Sequence, residues 1–206
     1  MILCGSEYFG NEVHTADLEY IHTQEDNDSF ITIGKFEGDW DGEIYTALSM
    51  SHKRLMCERT EFSDYVYELM LDDSLTSVLP KISKMADILG FEKGYTSYIH
   101  TQRPGCVIPQ HADDPNFTGL PLELQSQGVK VTIMLAPWEF GQLFAFKNSF
   151  YQHWEAGTII YSDFEKTKHF TCNASSHSRP MLVITGLPNN TLRKIIDDKK
   201  FCVFKI

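Results

Sequence analysis

Three side chains in this sequence have the types and the order of a metal site. His111 and Asp113 are two positions apart, and His169 follows after a long interval. Two imidazoles and one carboxylate form the facial ligand set with which non-haem iron(II) sites hold the metal and leave coordination positions open. Because residues two apart on a strand share a face, His111 and Asp113 can both point into the mouth of a barrel. The pattern therefore predicts a metal site formed by these three residues.

Other residues compete for these roles. His153 and Glu155 form a second pair with the same spacing, but they lie in a segment whose composition is typical of a turn. His177 is an alternative to His169 as the distant ligand. Asp114 is an alternative carboxylate, although on a strand it would point to the opposite face. The first set is favoured, and these alternatives remain open.

An arginine ten residues after His169 indicates what else the site would bind. Arg179 begins the apolar run 180–184. A buried arginine is costly unless it is paired, and its guanidinium is a planar fork that fits a carboxylate. A strand end, a polar turn at 173–176 and a new strand fit between His169 and Arg179, whereas His177 is too close to Arg179. This spacing favours His169 as the ligand and an anion as the partner of Arg179.

The elements that must position these residues are short strands. From Lys93 onward, apolar runs are separated by Gly, Pro and Asn. The predicted strands are Tyr95–His100, Cys106–His111, Val129–Leu135, Gln142–Phe146, Gly157–Tyr161, His169–Asn173 and Met181–Thr185. Many short antiparallel strands predict a mainly β fold with N-terminal helices, namely a double-stranded β-helix, or jelly roll, of the cupin type.

The first 92 residues are predicted to be mixed. Phe30–Phe36 and Glu43–Leu48 have the composition of strands. Apolar residues at 62, 66, 69 and 70 have helical spacing and predict one helix. A second helix is predicted to start near Pro80 and to end at Gly90. These helices would pack against one sheet of the jelly roll and cover it.

The composition limits the remaining possibilities. The chain has 206 residues, a net charge of −10 and five scattered cysteines. We expect a single domain over residues 1–206, with a mixed N-terminal part at 1–92, a β-helix core at 93–188 and a C-terminal extension at 189–206. The acidic balance disfavours a nucleic-acid partner. The lack of an apolar run long enough to cross a bilayer, of a signal sequence and of a disulfide pattern predicts a cytoplasmic protein without membrane contact.

Two segments resemble a known family. One segment resembles the C-terminal half of Fe(II)/2-oxoglutarate-dependent dioxygenases, through Trp154–Gly157, Asp163, His169, the turn at 173–176 and Arg179. The other, Gly105–Asp113, resembles their first-ligand strand. The motifs are most similar to the prolyl hydroxylase and aspartyl/asparaginyl β-hydroxylase branches. The resemblance covers residues 95–188. The aspartyl/asparaginyl β-hydroxylases lack the acidic ligand that is present here, so their peptide substrate is not carried over.

The resemblance implies roles for the residues singled out above. The predicted ligands would hold Fe(II), 2-oxoglutarate would be the co-substrate with O2, and Arg179 would bind the distal carboxylate of 2-oxoglutarate. By strand phase, the residues that could help Arg179 are Tyr98, Thr101 and Thr132.

The predicted function is hydroxylation of an amino-acid side chain, free or within a peptide, with release of succinate and CO2. A nucleic-acid demethylase is disfavoured, because such enzymes place a second arginine six residues after the first, where this chain has Thr185. One alternative is a non-catalytic cupin-like module that binds a metal or a small ligand. Another is a scaffold whose histidines are structural.

Overall fold

The computed structural model describes residues 30–54, 66–113, 120–146, 149–162 and 168–206. Within these ranges the strands are β1 (Phe30–Glu37), β2 (His52–Arg54), β3 (Val66–Met70), β4 (Thr96–Gln102), β5 (Cys106–His111), β6 (Val129–Met134), β7 (Gln142–Phe146), β8 (Ser149–Tyr151), β9 (Thr158–Ser162), β10 (His169–Asn173), β11 (Arg179–Gly186) and β12 (Cys202–Lys205). The α-helices are α1 (Asp41–Met50), α2 (Met85–Leu89) and α3 (Asn190–Asp197). Short 3-10 helices lie at Asp73–Leu75, Ile82–Lys84 and Leu122–Gln127.

The strands form two sheets. The larger has the order β12-β1-β9-β6-β11-β4-β3-β2, and the smaller has the order β5-β10-β7-β8. From β4 to β11 the chain passes back and forth between the sheets, and every pairing among these strands is antiparallel. This alternation is the double-stranded β-helix, so the predicted jelly roll is confirmed.

The larger sheet is buried on both faces. Its outer face packs against the helices, and Ile99, Leu182 and Ile184 belong to that core. Its inner face contributes Met134, Ile160 and Met181 to a second core, which they share with aromatic side chains of the smaller sheet. Because residues alternate between the faces, β11 reads as a continuous buried run, and every one of its residues is buried. The inner face is the one that positions the candidate site.

The predicted strands from residue 95 onward are all present, with ends that differ by at most two residues. The helix predicted near Pro80 is also present, although it begins as a 3-10 turn at Ile82 and becomes α-helical only at Met85. It ends where predicted, because Gly90 has a φ of 98° and a Cβ there would lie 2.7 Å from the Asn189 side chain. Only glycine accepts both conditions without strain.

Two N-terminal predictions are wrong. Glu43–Leu48 is not a strand but part of α1, where acidic residues in the first turn suit the helix N-terminus. Residues 66–70 are not helical but form β3, and Phe62 lies outside the described residues. Val66 belongs to the inner side and Leu69 to the outer core, so their spacing of three reflects a strand buried on both faces. Helical periodicity and a doubly buried short strand give the same apolar pattern here.

The segment after residue 188 has regular structure that the sequence did not suggest. Asn189 caps α3 by accepting hydrogen bonds from the backbone N–H groups of Thr191 and Leu192, at 2.9 and 3.0 Å. β12 then pairs in parallel with β1 at the edge of the larger sheet. In the described part of the chain, the helices are all too short or too polar to span a bilayer.

Candidate metal centre

His111 is aimed into the barrel by a β-bulge. Along the β5–β10 ladder, Thr171 pairs with Ile108 but His169 pairs with His111, so β5 contains one extra residue. Without it, His111 would lie on the face opposite Ile108. Pro109 lies within the bulge, where its missing N–H removes no ladder hydrogen bond. The bulge therefore places the imidazole on the inner face.

The bulge also fixes the tautomer of His111. The Nδ1 of His111 lies 2.7 Å from the carbonyl oxygen of Pro109. Because a carbonyl oxygen only accepts, Nδ1 is the nitrogen that donates, which leaves the Nε2 lone pair available to a metal.

Asp113 and His169 complete a compact group with His111. Asp113 Oδ1 lies 3.6 Å from His111 Nε2 and 3.8 Å from His169 Nε2. One ligand atom from each of the three side chains lies within 4.8 Å of the others. His111 comes from the end of β5, His169 from the start of β10, and Asp113 follows β5 directly. The structure thus brings together the three side chains that the sequence predicts as ligands.

The charge balance of this group is unusual. Burial alone would raise the pKa of Asp113, but the interaction with His111 and the charges of Lys130 and His169 outweigh it and hold the pKa well below its usual range. In turn, Asp113 raises the pKa of His111. The Nζ of Lys130 donates a hydrogen bond to the second carboxylate oxygen, Oδ2. The carboxylate is therefore ionised, with one oxygen facing the imidazoles and one held by an ammonium group.

The donor set of the group suits a divalent transition metal. Two imidazole nitrogens and one ionised carboxylate oxygen lie around one point, and His111 presents the correct nitrogen. His169 is nearly enclosed, with its ring 6.0 Å from the ring of Phe146 and 6.1 Å from that of Phe144. The side chain of His111 is 37% exposed, so the group is open on that side. This open side fits a metal that keeps free coordination positions.

Arg179 lies deep in the same barrel. It is the first residue of β11, whereas Lys130, which contacts Asp113, pairs with Thr185 near the other end of that strand. The side chain of Arg179 is fully enclosed, with 1% of the residue exposed. One terminal nitrogen donates to the Leu143 carbonyl at 3.0 Å and the other donates to the side-chain oxygen of Gln102. Burial lowers the pKa of Arg179 to about 10. It is nonetheless a cation at neutral pH.

The arginine lacks an anionic partner. Among the described residues it forms no ion pair with a carboxylate, and its Nε has no hydrogen-bond partner. The guanidinium carbon lies 5.4 Å from the ring centre of Phe144 and 5.8 Å from that of Trp154. Aromatic faces stabilise a cation only partly. A buried, uncompensated guanidinium is the feature expected of a site for an anion.

Phe144 connects the two regions. One side of the ring faces the Arg179 guanidinium, and the ring stacks on that of His169. A ligand that reaches both the metal group and Arg179 would pass this side chain.

The residues proposed to help Arg179 divide between the two faces of the larger sheet. Tyr98 pairs with Val183, and Thr132 pairs with Val183 from the other side, so both lie on the inner face. Thr101 pairs with Pro180 and has the opposite phase, which places it on the outer face. Strand phase therefore places Tyr98 and Thr132 on the same face as Arg179 and Thr101 on the other face, which is a correction for Thr101.

The competing candidates lie elsewhere. The ring of His153 packs 4.1 Å from that of Trp138, and Glu155 forms an exposed ion pair with Lys35. His177 is exposed and pairs with Glu139 at 2.7 Å. Asp114 lies outside the described residues.

Sequence reasoning missed three polar residues on the inner face. Lys130 contacts Asp113, and Gln102 contacts Arg179. His100 Nδ1 lies 3.4 Å from Glu68 Oε1, while its buried Nε2 has no partner among the described residues. For His100 and Lys130, the available signal was a polar residue inside a predicted strand, whereas Gln102 lies beyond the predicted end of its strand. For Lys130, that signal is a single charge within an otherwise apolar run.

Comparison with known proteins agrees with this architecture. No family model and no curated protein matches the chain. Among solved structures it is similar to SnoK, a non-heme alpha ketoglutarate dependent carbocyclase from nogalamycin biosynthesis, with a TM-score of 0.53 and 14% identity over 76% of this chain and 78% of that one. It is also similar to SnoN, a non-heme alpha ketoglutarate dependent epimerase from the same biosynthesis, with a TM-score of 0.51 and 8% identity over 84% and 83%. A Cupin 2 conserved barrel domain protein from Salinispora arenicola matches with a TM-score of 0.37 and 10% identity over 71% and 90%.

The likenesses to SnoK and SnoN show the fold alone. The chain has a jelly-roll fold, and the solved structures that share it include enzymes described as non-heme and alpha ketoglutarate dependent. At these identities the neighbours do not fix the branch within the fold.

Proposed function

We propose that this protein is an Fe(II)- and 2-oxoglutarate-dependent dioxygenase. The observation that carries the proposal is the presence, in one barrel, of a His-Asp-His group and a buried guanidinium without an anionic partner among the described residues. A metal-binding module alone would explain the first feature but not the second. A dicarboxylate with one end on a metal and the other on an arginine explains both.

Each residue has a stated task in this proposal. His111, Asp113 and His169 would hold the metal on one face. Arg179 would bind the distal carboxylate of 2-oxoglutarate through its fork. When bound, the iron would supply the chemistry that couples conversion of 2-oxoglutarate to succinate and CO2 with oxidation of the substrate by O2.

The aromatic wall would exclude water from the centre. Phe144 and Phe146 lie against His169, and both are buried. An oxidising centre that is shielded from water is protected from side reactions. The exposed side of His111 would be the entrance for the substrate.

We further propose that the substrate is an amino-acid side chain, free or within a peptide, and that the reaction is hydroxylation. This step is supported by the motif resemblance to the prolyl and aspartyl/asparaginyl hydroxylases. SnoK and SnoN support the co-substrate, since both are described as alpha ketoglutarate dependent. The protein would act in the cytoplasm on a small-molecule or peptide partner.

The decisive test uses the purified chain without air. Addition of Fe(II) and 2-oxoglutarate is expected to produce a weak visible charge-transfer band, and subsequent O2 is expected to yield succinate, slowly even without substrate. His169→Ala should abolish both signals. His177→Ala is the matched control, because it removes an exposed histidine that pairs with Glu139 and is outside the His-Asp-His group, and it should change neither signal.

Each alternative function has its own outcome. Metal binding without succinate would favour the non-catalytic cupin-like module. Absence of metal binding would favour a scaffold with structural histidines, and the oxygenase proposal would then be wrong.

A further inference from the structure

Lys130 is placed to control how Asp113 binds a metal. It is the second residue of β6, where it pairs with Thr185 of β11 and Ser162 of β9. Its side chain is only 16% exposed, and Nζ donates to Asp113 Oδ2. The lysine thus reaches the metal group from the larger sheet, whereas both histidines come from the smaller one.

The two carboxylate oxygens of Asp113 contact different groups. Oδ1 faces both imidazoles, at 3.6 and 3.8 Å from their Nε2 atoms, while Oδ2 is held by the ammonium group. A free carboxylate can bind a metal through one oxygen or through both. If both bound, one more coordination position would be lost to the protein. A charge-assisted hydrogen bond to Oδ2 opposes that second mode.

Electrostatics argues that this lysine does not serve to increase metal affinity. An ammonium group beside a divalent cation repels it, and the repulsion is strong where the side chains are partly buried. The benefit must therefore lie in geometry. Ligand orientation by a neighbouring hydrogen-bonding group is a common feature of metal sites.

We propose that Lys130 is a positioning residue that holds Asp113 as a one-oxygen ligand through Oδ1 and so keeps an additional coordination position open. This inference rests on the proposed metal site. It adds a role for a residue outside the ligand set. When the lysine is removed, the number of waters on the metal should fall, while the affinity for the metal should not fall.

The test uses Mn²⁺ alone with the full chain, and it counts the water molecules on the bound metal by electron paramagnetic resonance in ¹⁷O-enriched water. Three protein ligands on an octahedral ion leave about three waters in the wild type. Lys130→Met should reduce that number by about one, because Asp113 is free to bind through both oxygens. The affinity for Mn²⁺ should stay equal or rise.

Lys93→Met is the matched control. It breaks an exposed lysine–aspartate pair at 3.2 Å, and it should alter neither the water count nor the affinity. If Lys130→Met does not fold, Lys130→Ala replaces it, because alanine adds no bulk to the site and is expected to give the same loss of water.

The outcomes separate this inference from the proposed function. A wild-type water count in Lys130→Met or Lys130→Ala overturns the positioning role and leaves the metal site intact. A fall in affinity with an unchanged count also overturns it, because the lysine would then act through stability of the site. Failure of the wild type to bind Mn²⁺ overturns the metal site, and the positioning role with it.

Discussion

The two ends of the barrel treat buried charge in opposite ways. At one end, Asp113 is compensated within the protein, because Lys130 and two imidazoles surround its carboxylate. At the other end, Arg179 is 1% exposed and has no carboxylate partner among the described residues. The carboxylate of the first region is therefore compensated by neighbouring groups. The guanidinium of the second region has no such compensation among the described residues.

In the proposed function, each region would receive the charge that it lacks. A metal brings positive charge to the end that holds a carboxylate, and a dicarboxylate brings negative charge to the end that holds a guanidinium. The two ends should therefore respond separately to substitution, one in metal binding and the other in co-substrate binding.

The largest expected effect is the loss of metal affinity when Asp113 is replaced. Asp113→Ala leaves two imidazoles facing the ammonium group of Lys130, and a cation that enters is then repelled without compensation. We expect the affinity for Mn²⁺ to fall more than about 100-fold, beyond the range usual for residues that only orient ligands. Calorimetric titration measures it. A loss below about tenfold would show that Asp113 is not a ligand.

The next largest expected effect is the loss of 2-oxoglutarate affinity when Arg179 is replaced. Arg179→Met removes the cation that would pair with the distal carboxylate of 2-oxoglutarate, and a lost buried charge pair costs about 2–5 kcal/mol. Affinity for 2-oxoglutarate in the presence of Mn²⁺ should therefore fall by about 30-fold or more, while affinity for Mn²⁺ itself is unchanged. Anaerobic titration measures both quantities.

A second variant tests the geometry of this contact. Arg179→Lys keeps the charge but loses the fork, so it should recover only part of the affinity for 2-oxoglutarate. Equal losses of metal and co-substrate affinity in Arg179→Met would contradict the separation of the two ends.

The sequence predicts the strands of the barrel well because they are short and clearly bounded. Turn residues separate each run from the next, so the alternation between sheets follows from the order of the runs. It fails in the N-terminal part, where the apolar spacing of 66–70 fits either a helix or a strand with two buried faces. Only the neighbouring strand β4, which pairs with this segment, decides between them.

The site could be predicted for similar reasons, up to a limit. His111, Asp113 and His169 are identifiable because their types are rare and their order is constrained. Lys130 could not be assigned, because its partner lies 17 positions away on another element. The bulge at Pro109 was equally hidden, since a register shift depends on the partner strand.

The third prediction concerns the region between the two ends. Burial lowers the pKa of His100, and the charges of Arg179 and Lys130 add to this effect, although Glu68 opposes it. The unfolded chain takes up a proton near the ordinary pKa of 6.5, while the folded protein stays neutral at that position to lower pH. The free energy of unfolding should therefore fall as the pH drops below about 7, by at most about 1.4 kcal/mol per pH unit from this group.

His100→Asn isolates this contribution. The difference between its unfolding free energy and that of the wild type, measured by urea denaturation across the range from about pH 7.5 to 5.5, should shrink as the pH falls. Parallel curves would show that the pKa of His100 is the same in the folded and the unfolded protein, which would contradict the expected lowering.

The smallest expected effect comes from the removal of a single hydroxyl group, either on the inner or on the outer face of the larger sheet. Thr132 lies on the inner face, where its hydroxyl group is proposed to bind the co-substrate, and Thr101 lies on the outer face. Thr132→Val keeps the shape and removes one neutral hydrogen bond, worth about 1 kcal/mol, so affinity for 2-oxoglutarate should fall about fivefold with Mn²⁺ affinity unchanged. Thr101→Val makes the same chemical change in a side chain that is equally buried, and it should leave both affinities unchanged. Equal losses in the two variants would mean that the effect comes from packing of the sheet, and Thr132 would then lose its role at the arginine end.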